Sequence, residues 1–544
     1  MNRGKGGYME LVFVGADHEV TGSCHYLRAG SRNILVDYGM EQGKNLYENA
    51  PLPVKPENID YVFVTHAHID HTGMLPKLYA DGFRGRILCT EATKELSDVM
   101  LRDSAHIQMQ EAEYRNRKAG KKGSSDRVEP VYTMQDTMNV LQLFEAYPYN
   151  EILTLGDEIS FRFTDVGHLL GSASIELWLR ERGEERKIVF SGDIGNKNQP
   201  LLRDPVFTKE ADYVVMESTY GTRLHEKIKR DHTLQLAEVI RDTMRRGGNV
   251  VIPAFAVGRT QVMLSFIRQI KDQNLAPEHG DFPVYVDSPM AVEATGIFED
   301  NESECYDEES RALLNQGINP LAFPNLHLSI TTEESMAIND DRVPKVILSA
   351  SGMCDAGRIK HHIKHNIGNP DSTILFVGYQ SEGTLGRRLL DGAEKIRLFG
   401  EEYDVKARIA RIDGLSGHAD KEGLLEWISA FETKPKQVFV VHGDDETATA
   451  FAKCLEQEKE LKAMAPYSGT KYDLISGSFI RIAKPVPVAG KEKSAVRTTS
   501  DSFTKLKIAA KRLDGVISKA QGLPNKELDA FTRELNDLCR KYQI

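Results

Sequence analysis

The stretch Val62-Phe63-Val64-Thr65-His66-Ala67-His68-Ile69-Asp70-His71 constrains this chain more than any other. An apolar run of Val and Phe ends abruptly in three histidines and an aspartate. Such a run predicts a strand over residues 59–65. Side chains two apart on an extended chain point the same way, so His66 and His68 are expected to project together from the strand end. Asp70 and His71 follow at the next turn, where Thr72-Gly73 opens a helix. Four ligand-type side chains within six residues can hold one metal ion and begin a second site. Imidazole and carboxylate are ligands that zinc takes.

Further ligand types stand at other predicted strand ends: His168 after Gly167, Asp193 after Gly192, and His442 after Val438-Phe439-Val440-Val441. With His66, His68, Asp70 and His71 they make seven, enough for two zinc ions that share one carboxylate. Asp193 is the natural bridge. His66, His68 and His168 are assigned to one ion, and Asp70, His71 and His442 to the other. A two-metal site clamps the attacking and leaving oxygens of a displacement and brings the pKa of a bound water near 7. Asp37, closing a strand over 33–36, is expected outside the ligands, accepting the N–H of a ligand histidine.

Composition narrows the classes. The chain has 544 residues and a formal net charge of −11, so it is not a basic nucleic-acid binder as a whole. A polyanion would have to be met by a local positive patch or by metal. Six cysteines lie scattered with no CxxC pair, which excludes a thiolate metal site and a disulfide framework and points to a reducing compartment. The start of the chain lacks the apolar stretch of a signal peptide, and no apolar run is long enough to span a bilayer. A cytoplasmic protein without a membrane partner is expected.

The rhythm of the chain changes along its length. Residues 8–40 alternate short strands and turns, and 151–193 form a meander. From 211 to 400, strands alternate with helical stretches, which implies a mostly parallel sheet. Ligand-type residues then return. The simplest arrangement is a first domain (1–210) interrupted by a second (211–400) and completed by residues 401–485. Pro485-Val486-Pro487 predicts a linker. Beyond it, from Lys491, twelve Lys and Arg stand against seven Asp and Glu, so the extension 486–544 is basic in an acidic chain. Helical patterns over Phe503 to Ile517 and Lys526 to Tyr542 predict a small hairpin, for packing, dimer contact or RNA. Arg115, Arg117, Lys118, Lys121 and Lys122 fall close together in a charged stretch expected to be a solvated helix end and loop.

The run His66-Ala67-His68-Ile69-Asp70-His71, with His168 and Asp193, resembles the metallo-β-lactamase superfamily. That resemblance implies an α/β fold, an αββα sandwich with the metals at one edge. Three further motifs resemble the β-CASP nuclease branch: Glu217-Ser218-Thr219-Tyr220-Gly221, Ser416-Gly417-His418-Ala419-Asp420 and Val441-His442-Gly443. In that branch a βα cap domain is inserted into the sandwich and covers the site, matching the interruption found from rhythm. A histidine in the third motif accompanies RNA processing, so His442 points to RNA. The pattern, over about residues 9–485, resembles prokaryotic relatives of the nuclease subunit of the cleavage and polyadenylation specificity factor, and ribonuclease J less closely. The resemblance implies a two-zinc ribonuclease acting on RNA, most readily single-stranded, and leaving 3′-hydroxyl and 5′-phosphate ends. His418 is the expected proton donor to the leaving oxygen, and Glu217 the carboxylate that keeps it charged. A metal-free RNA-binding scaffold and a small-molecule hydrolase are the alternatives. The first fits poorly with a full ligand set, the second with the insertion and the Glu217/His418 pair.

Two turns of the inserted part are candidate phosphate contacts. Ser351, Gly352 and Arg358 belong to a strand-to-helix turn resembling a P-loop, except that Arg358-Ile359 replaces the Lys-Ser/Thr that ATP binding requires. Gln380 and Ser381 belong to a second turn, and for both turns tight structural turning is the alternative to substrate contact. His361, His362 and His365 crowd one helix with no carboxylate nearby in sequence, and a solvated or phosphate-facing helix is expected there.

Overall fold

The computed structural model describes residues 9–43, 45–121, 127–225, 231–488 and 525–541, with positions 513 and 517. The chain divides into two compact units, Met1–Lys44 with Asn49–Lys484 and Asn45–Glu48 with Pro485–Ile544.

The larger unit holds three main sheets. The first runs Ser478–Arg481, Lys471–Asp473, Glu10–Gly15, Cys24–Ala29, Arg32–Val36, Tyr61–Phe63, Arg86–Cys89 and Phe144–Ala146. The second runs Ala463–Met464, Gln437–Val441, Tyr213–Glu217, Glu184–Phe190, Ala173–Glu181, Ile159–Asp165 and Leu153–Leu155. Period-two alternation explains how they stack. In Val62-Phe63-Val64, Phe63 turns inward and lies 5.3 Å from the Phe161 ring of the second sheet, while Val62 and Val64 join a core with Leu75, Leu78, Leu101 and Val140. In the second sheet Phe439 faces Phe13 at 4.9 Å, while Val438 and Val440 pack outward on Trp427 and Phe451 of the helices Lys421–Ser429 and Asp445–Lys459. Helix, sheet, sheet and helix therefore stack in four layers.

The third sheet is parallel throughout, in the order Leu326–Ser329, Val284–Asp287, Val346–Ser349, Val250–Pro253, Thr373–Phe376 and Arg408–Arg411. Its central strands are buried at every position, as a parallel sheet covered on both faces requires.

Strand assignment departs from rhythm at both ends of the insertion. Tyr213–Glu217, grouped by βα alternation with the inserted part, pairs in parallel with Glu184–Phe190 and Gln437–Val441 of the sandwich. Arg408–Arg411, past residue 400, pairs with Thr373–Phe376 of the inserted sheet. Parallel strands of both sheets read alike, so local pattern cannot assign them.

In the smaller unit, Glu48 N–H donates to the Val486 carbonyl and Val488 N–H to that of Leu46, so the expected linker is a short paired segment. The helix Asn525–Lys541 covers the described part of the second expected helix, and Tyr542 lies outside the described residues. The first, Phe503 to Ile517, lies outside the described residues apart from positions 513 and 517, as does Lys122. The charged stretch continues the helix Glu91–Lys121, with Arg115, Arg117 and Lys118 exposed on it. Among the described residues no helix is long and apolar enough to cross a membrane.

Candidate metal centre

The strand Tyr61–Phe63 stops short of its histidines, and the segment beyond it is held from behind. Val64 N–H donates to Leu88 O at 2.9 Å and Thr65 N–H to Asp37 Oδ1 at 2.8 Å. From this anchored bend His66 and His68 turn into one point: His66 Nε2 is 3.0 Å from His68 Nδ1, and His168 Nε2 is 3.3 Å from the same atom. Asp193 Oδ2 lies 3.5 Å from both His66 Nε2 and His168 Nε2. The helix Ile69–Thr72 presents Asp70 and His71 alongside. His71 Nε2 is 3.2 Å from His442 Nε2, and the latter is 3.6 Å from Asp70 Oδ2. Asp193 Oδ1 faces this second group, 3.4 Å from His71 Nε2 and 3.5 Å from His442 Nδ1. One carboxylate thus presents one oxygen to each group.

Several backbone positions are bent to achieve this. Asp37 and His442 have φ of 58° and 50°, in the left-handed region that costs a side-chain-bearing residue energy. Gly192, beside Asp193, has φ of 58°, and a Cβ there would meet Thr65 Cβ at 2.8 Å. That closeness lets the strand Glu184–Phe190 deliver Asp193 against the histidine bend.

Donor chemistry fits metal. Donors around a tetrahedral zinc with bonds of 2.0–2.1 Å lie roughly 3.3 Å apart. The nitrogens here sit at 3.0–3.3 Å. Asp193 Oδ1 is buried without a hydrogen-bond donor, an orphan that a cation would satisfy. Burial, with His71 and His418 respectively adding their charge, holds His66 and His168 well below the ordinary histidine value, in the neutral form that ligates metal. Burial also opposes charge on His71, yet Asp193 and Asp37 outweigh it and hold the group well above its usual value. His442 is raised against the same opposition, by Asp193 and Asp70. Asp193 is held well below the carboxylate range despite burial, by His442 and His71. Asp70 is pulled to about 2 in the same way, chiefly by His442. Asp37 Oδ2 is 2.7 Å from His71 Nδ1, which turns Nε2 toward the donor group.

His418 stands at the rim. Its Nδ1 is 3.2 Å from Glu217 Oε1, and its Nε2 is 3.9 Å from Asp193 Oδ2. Burial works against its charge, but Glu217 and Asp193 push it up to about 9. Glu217 is itself fixed, accepting from Ile194 N–H at 2.6 Å and Thr219 N–H at 3.1 Å. A cavity of about 710 Å³ opens over His68, Asp70, His168, Asp193, His418 and His442, walled on its far side by the inserted sheet.

The expected phosphate contacts fare differently. Arg358 pairs with Asp287 at 2.7 Å and donates to the Ile330 carbonyl, so its guanidinium is spent inside the inserted domain. Ser351 Oγ donates to Ala356 O. Ser381 N–H points to the Met353 sulfur at 3.4 Å, and neither Ser351, Gly352 nor Ser381 lines the cavity. Gln380 does, but its Nε2 is held by the Gly352 carbonyl at 2.9 Å. His362 is fully buried, 2.6 Å from Asp287 Oδ2, so the helix is neither solvated on that face nor without a carboxylate. That partner lies 75 residues away in sequence, beyond the reach of local reading.

Sequence reasoning passed over Thr219, whose hydroxyl is 3.2 Å from His442 Nδ1, and His225, whose Nε2 is 3.0 Å from the His418 carbonyl. Thr219 lies inside the motif around Glu217, and its position there was a usable signal. His225 had none.

A four-layer αββα fold with a buried, pre-formed His/Asp cluster at its sheet edge defines a metal-dependent hydrolase. Residues 19–241 match the metallo-beta-lactamase superfamily, 260–389 the Beta-Casp domain, and 402–466 a Zn-dependent metallo-hydrolase RNA specificity domain. The chain is 37% identical to Ribonuclease TTHA0252 of Thermus thermophilus, over 82% of its length and 96% of that protein's. It is 30% identical to an RNase J-like protein of Methanocaldococcus jannaschii, over 85% of this chain and 98% of that one. It is 29% identical to the Transcription termination factor FttA of Methanosarcina mazei, over 84% of this chain and 70% of that one. The chain belongs to the β-CASP branch of the metallo-β-lactamase superfamily, in its RNA-specificity class.

Proposed function

We propose that this protein is a two-zinc ribonuclease that hydrolyses single-stranded RNA, chiefly as an endonuclease with 5′-exonuclease action open to the same centre, leaving 3′-hydroxyl and 5′-phosphate ends. The observation that carries this reading is the pairing of His418 with Glu217 at the rim of the donor cluster, 3.2 Å apart. A charged imidazole beside a metal cluster suits a reaction that expels an alkoxide. The names of the relatives, two ribonucleases and a transcription termination factor, support RNA as the substrate.

His66, His68 and His168 would hold one zinc and Asp70, His71 and His442 the other, with Asp193 shared between them. Zinc bound there supplies charge neutralisation for a phosphodiester and activation of water near neutral pH. The chain's own groups do the rest. Asp37 orients His71, and Thr219 contacts His442. Glu217 occupies His418 Nδ1, leaving Nε2 as the atom that passes a proton to the departing O3′ as the P–O3′ bond breaks.

Parallel assays of an internally labelled RNA, a thioester and a β-lactam, each with and without chelator, test the reading. Chelator-sensitive cleavage of the RNA alone is the expected result. Hydrolysis of the thioester or lactam with RNA left intact would replace the reading by a small-molecule hydrolase.

A further inference from the structure

Three arginines line the cavity: Arg259, Arg387 and Arg411. Two are committed. Arg387 Nε is 3.1 Å from Asp391 Oδ2, and Arg411 Nε is 3.0 Å from Asp413 Oδ2. Arg259 differs. It begins the helix Arg259–Asp272, and no carboxylate of the described residues lies within 4.0 Å of its guanidinium. Its side-chain hydrogen bond goes from Nη2 to the carbonyl of Leu415, in the loop that carries His418. A guanidinium has five donors, so most of its capacity is unspent. Burial pulls it down to about 10, as expected of a charge without a compensating anion. Holding an uncompensated cation in a partly enclosed cavity costs stability unless an anion arrives.

Four residues earlier in the same turn stands Phe255. It is 49% exposed, on the cavity wall, two residues past the end of the strand Val250–Pro253. Gly352 lies against this residue, and a Cβ there would meet Phe255 Cδ2 at 3.2 Å. An exposed aromatic ring on the same cavity wall as a guanidinium with no carboxylate of the described residues at hand presents two distinct chemistries: a platform for a planar ring and a fork for a phosphate. One nucleotide carries both.

We propose that the turn Phe255–Arg259 is a nucleotide subsite next to the cleavage position: Phe255 stacks one base of single-stranded RNA, and Arg259 takes that strand's phosphate. The contact to Leu415 ties the occupied subsite to the loop of His418. The inference rests on the ribonuclease reading and adds residues to it that neither metal nor proton transfer requires.

The test is binding without turnover. Fluorescence anisotropy of a short labelled single-stranded RNA is measured in chelator, over a series of salt concentrations, with wild type, Phe255→Ala, Arg259→Gln and Arg259→Lys. Phe255→Ala is expected to bind about tenfold more weakly with the salt slope unchanged. Arg259→Gln is expected to lose about 0.7 of the log–log salt slope, and Arg259→Lys to keep it. A scan of RNAs carrying one abasic position each guards against misfolding. Wild type should lose affinity most at one position, and Phe255→Ala should be insensitive at that same position. A wild-type salt slope in Arg259→Gln, or an undiminished abasic penalty in Phe255→Ala, overturns the subsite alone. RNA that wild type neither binds nor cuts overturns the ribonuclease reading and the subsite together.

Discussion

At the residue scale Asp193 links the two donor groups, offering one oxygen to each at 3.4–3.5 Å. Its neighbours take their places around it, and their expected failures derive from that placement. His68→Ala or Asp70→Ala removes a donor from the cluster, and both should lose bound zinc and activity together, read by elemental analysis beside an RNA assay. Metal loading should also depend on pH. In the metal-free protein His71 and His442 hold protons above their ordinary range, so zinc must displace those protons. Affinity therefore rises with pH, and dialysis at mildly acidic pH should strip zinc that dialysis at alkaline pH retains. The Glu217 carboxylate at 3.2 Å raises the folded value of the His418 imidazole, so the His418 proton, the proposed donor to the leaving oxygen, is present at low pH and lost as pH rises through that value. Glu217→Gln removes the anion, and the alkaline limb of the pH–rate profile should move to lower pH.

At the scale of elements, strand ends do the positioning. Gln437–Val441 delivers His442, Glu184–Phe190 delivers Asp193, and Tyr213–Glu217 lies between them and ends in Glu217. His66, Asp193 and His442 stood out in the sequence because each closely follows an apolar strand, whereas Asp70 and His71 ride on the helix Ile69–Thr72. The sheet to which a parallel strand belongs was not legible. Tyr213–Glu217 has the composition of the inserted strands, and only long-range pairing places it in the sandwich. The same limit applied to His362 and Arg358, whose shared partner Asp287 lies across the inserted sheet. Asp287 is fully buried and also accepts from Ser335 Oγ at 2.5 Å. Replacing it by Ala takes the shared acceptor from the half-buried Arg358 guanidinium and the buried His362 and Ser335, and should cost about 3 kcal/mol. Chemical denaturation should show that loss, and zinc content in native buffer should stay at the wild-type level, since Asp287 touches none of the metal donors.

For the molecule as a whole, net charge and function pull in opposite directions. A chain of net charge −11 has to hold a polyanion, and the cavity resolves this locally. Its floor is a His/Asp cluster suited to cations, and its far wall carries Arg259, whose guanidinium has no carboxylate of the described residues within 4.0 Å. The interruption of the sandwich was visible in the change of rhythm, and the cavity that it creates was not, since its walls come from segments hundreds of residues apart. The most direct measurement compares zinc-loaded wild type and His418→Ala, matched for zinc content, on an internally labelled single-stranded RNA, with the product ends identified. Wild type should release fragments with 5′-phosphate and 3′-hydroxyl ends, and His418→Ala should cut about 10²–10⁴-fold more slowly at equal zinc. Cleavage by His418→Ala at the wild-type rate, or products with 5′-hydroxyl ends, would contradict this account.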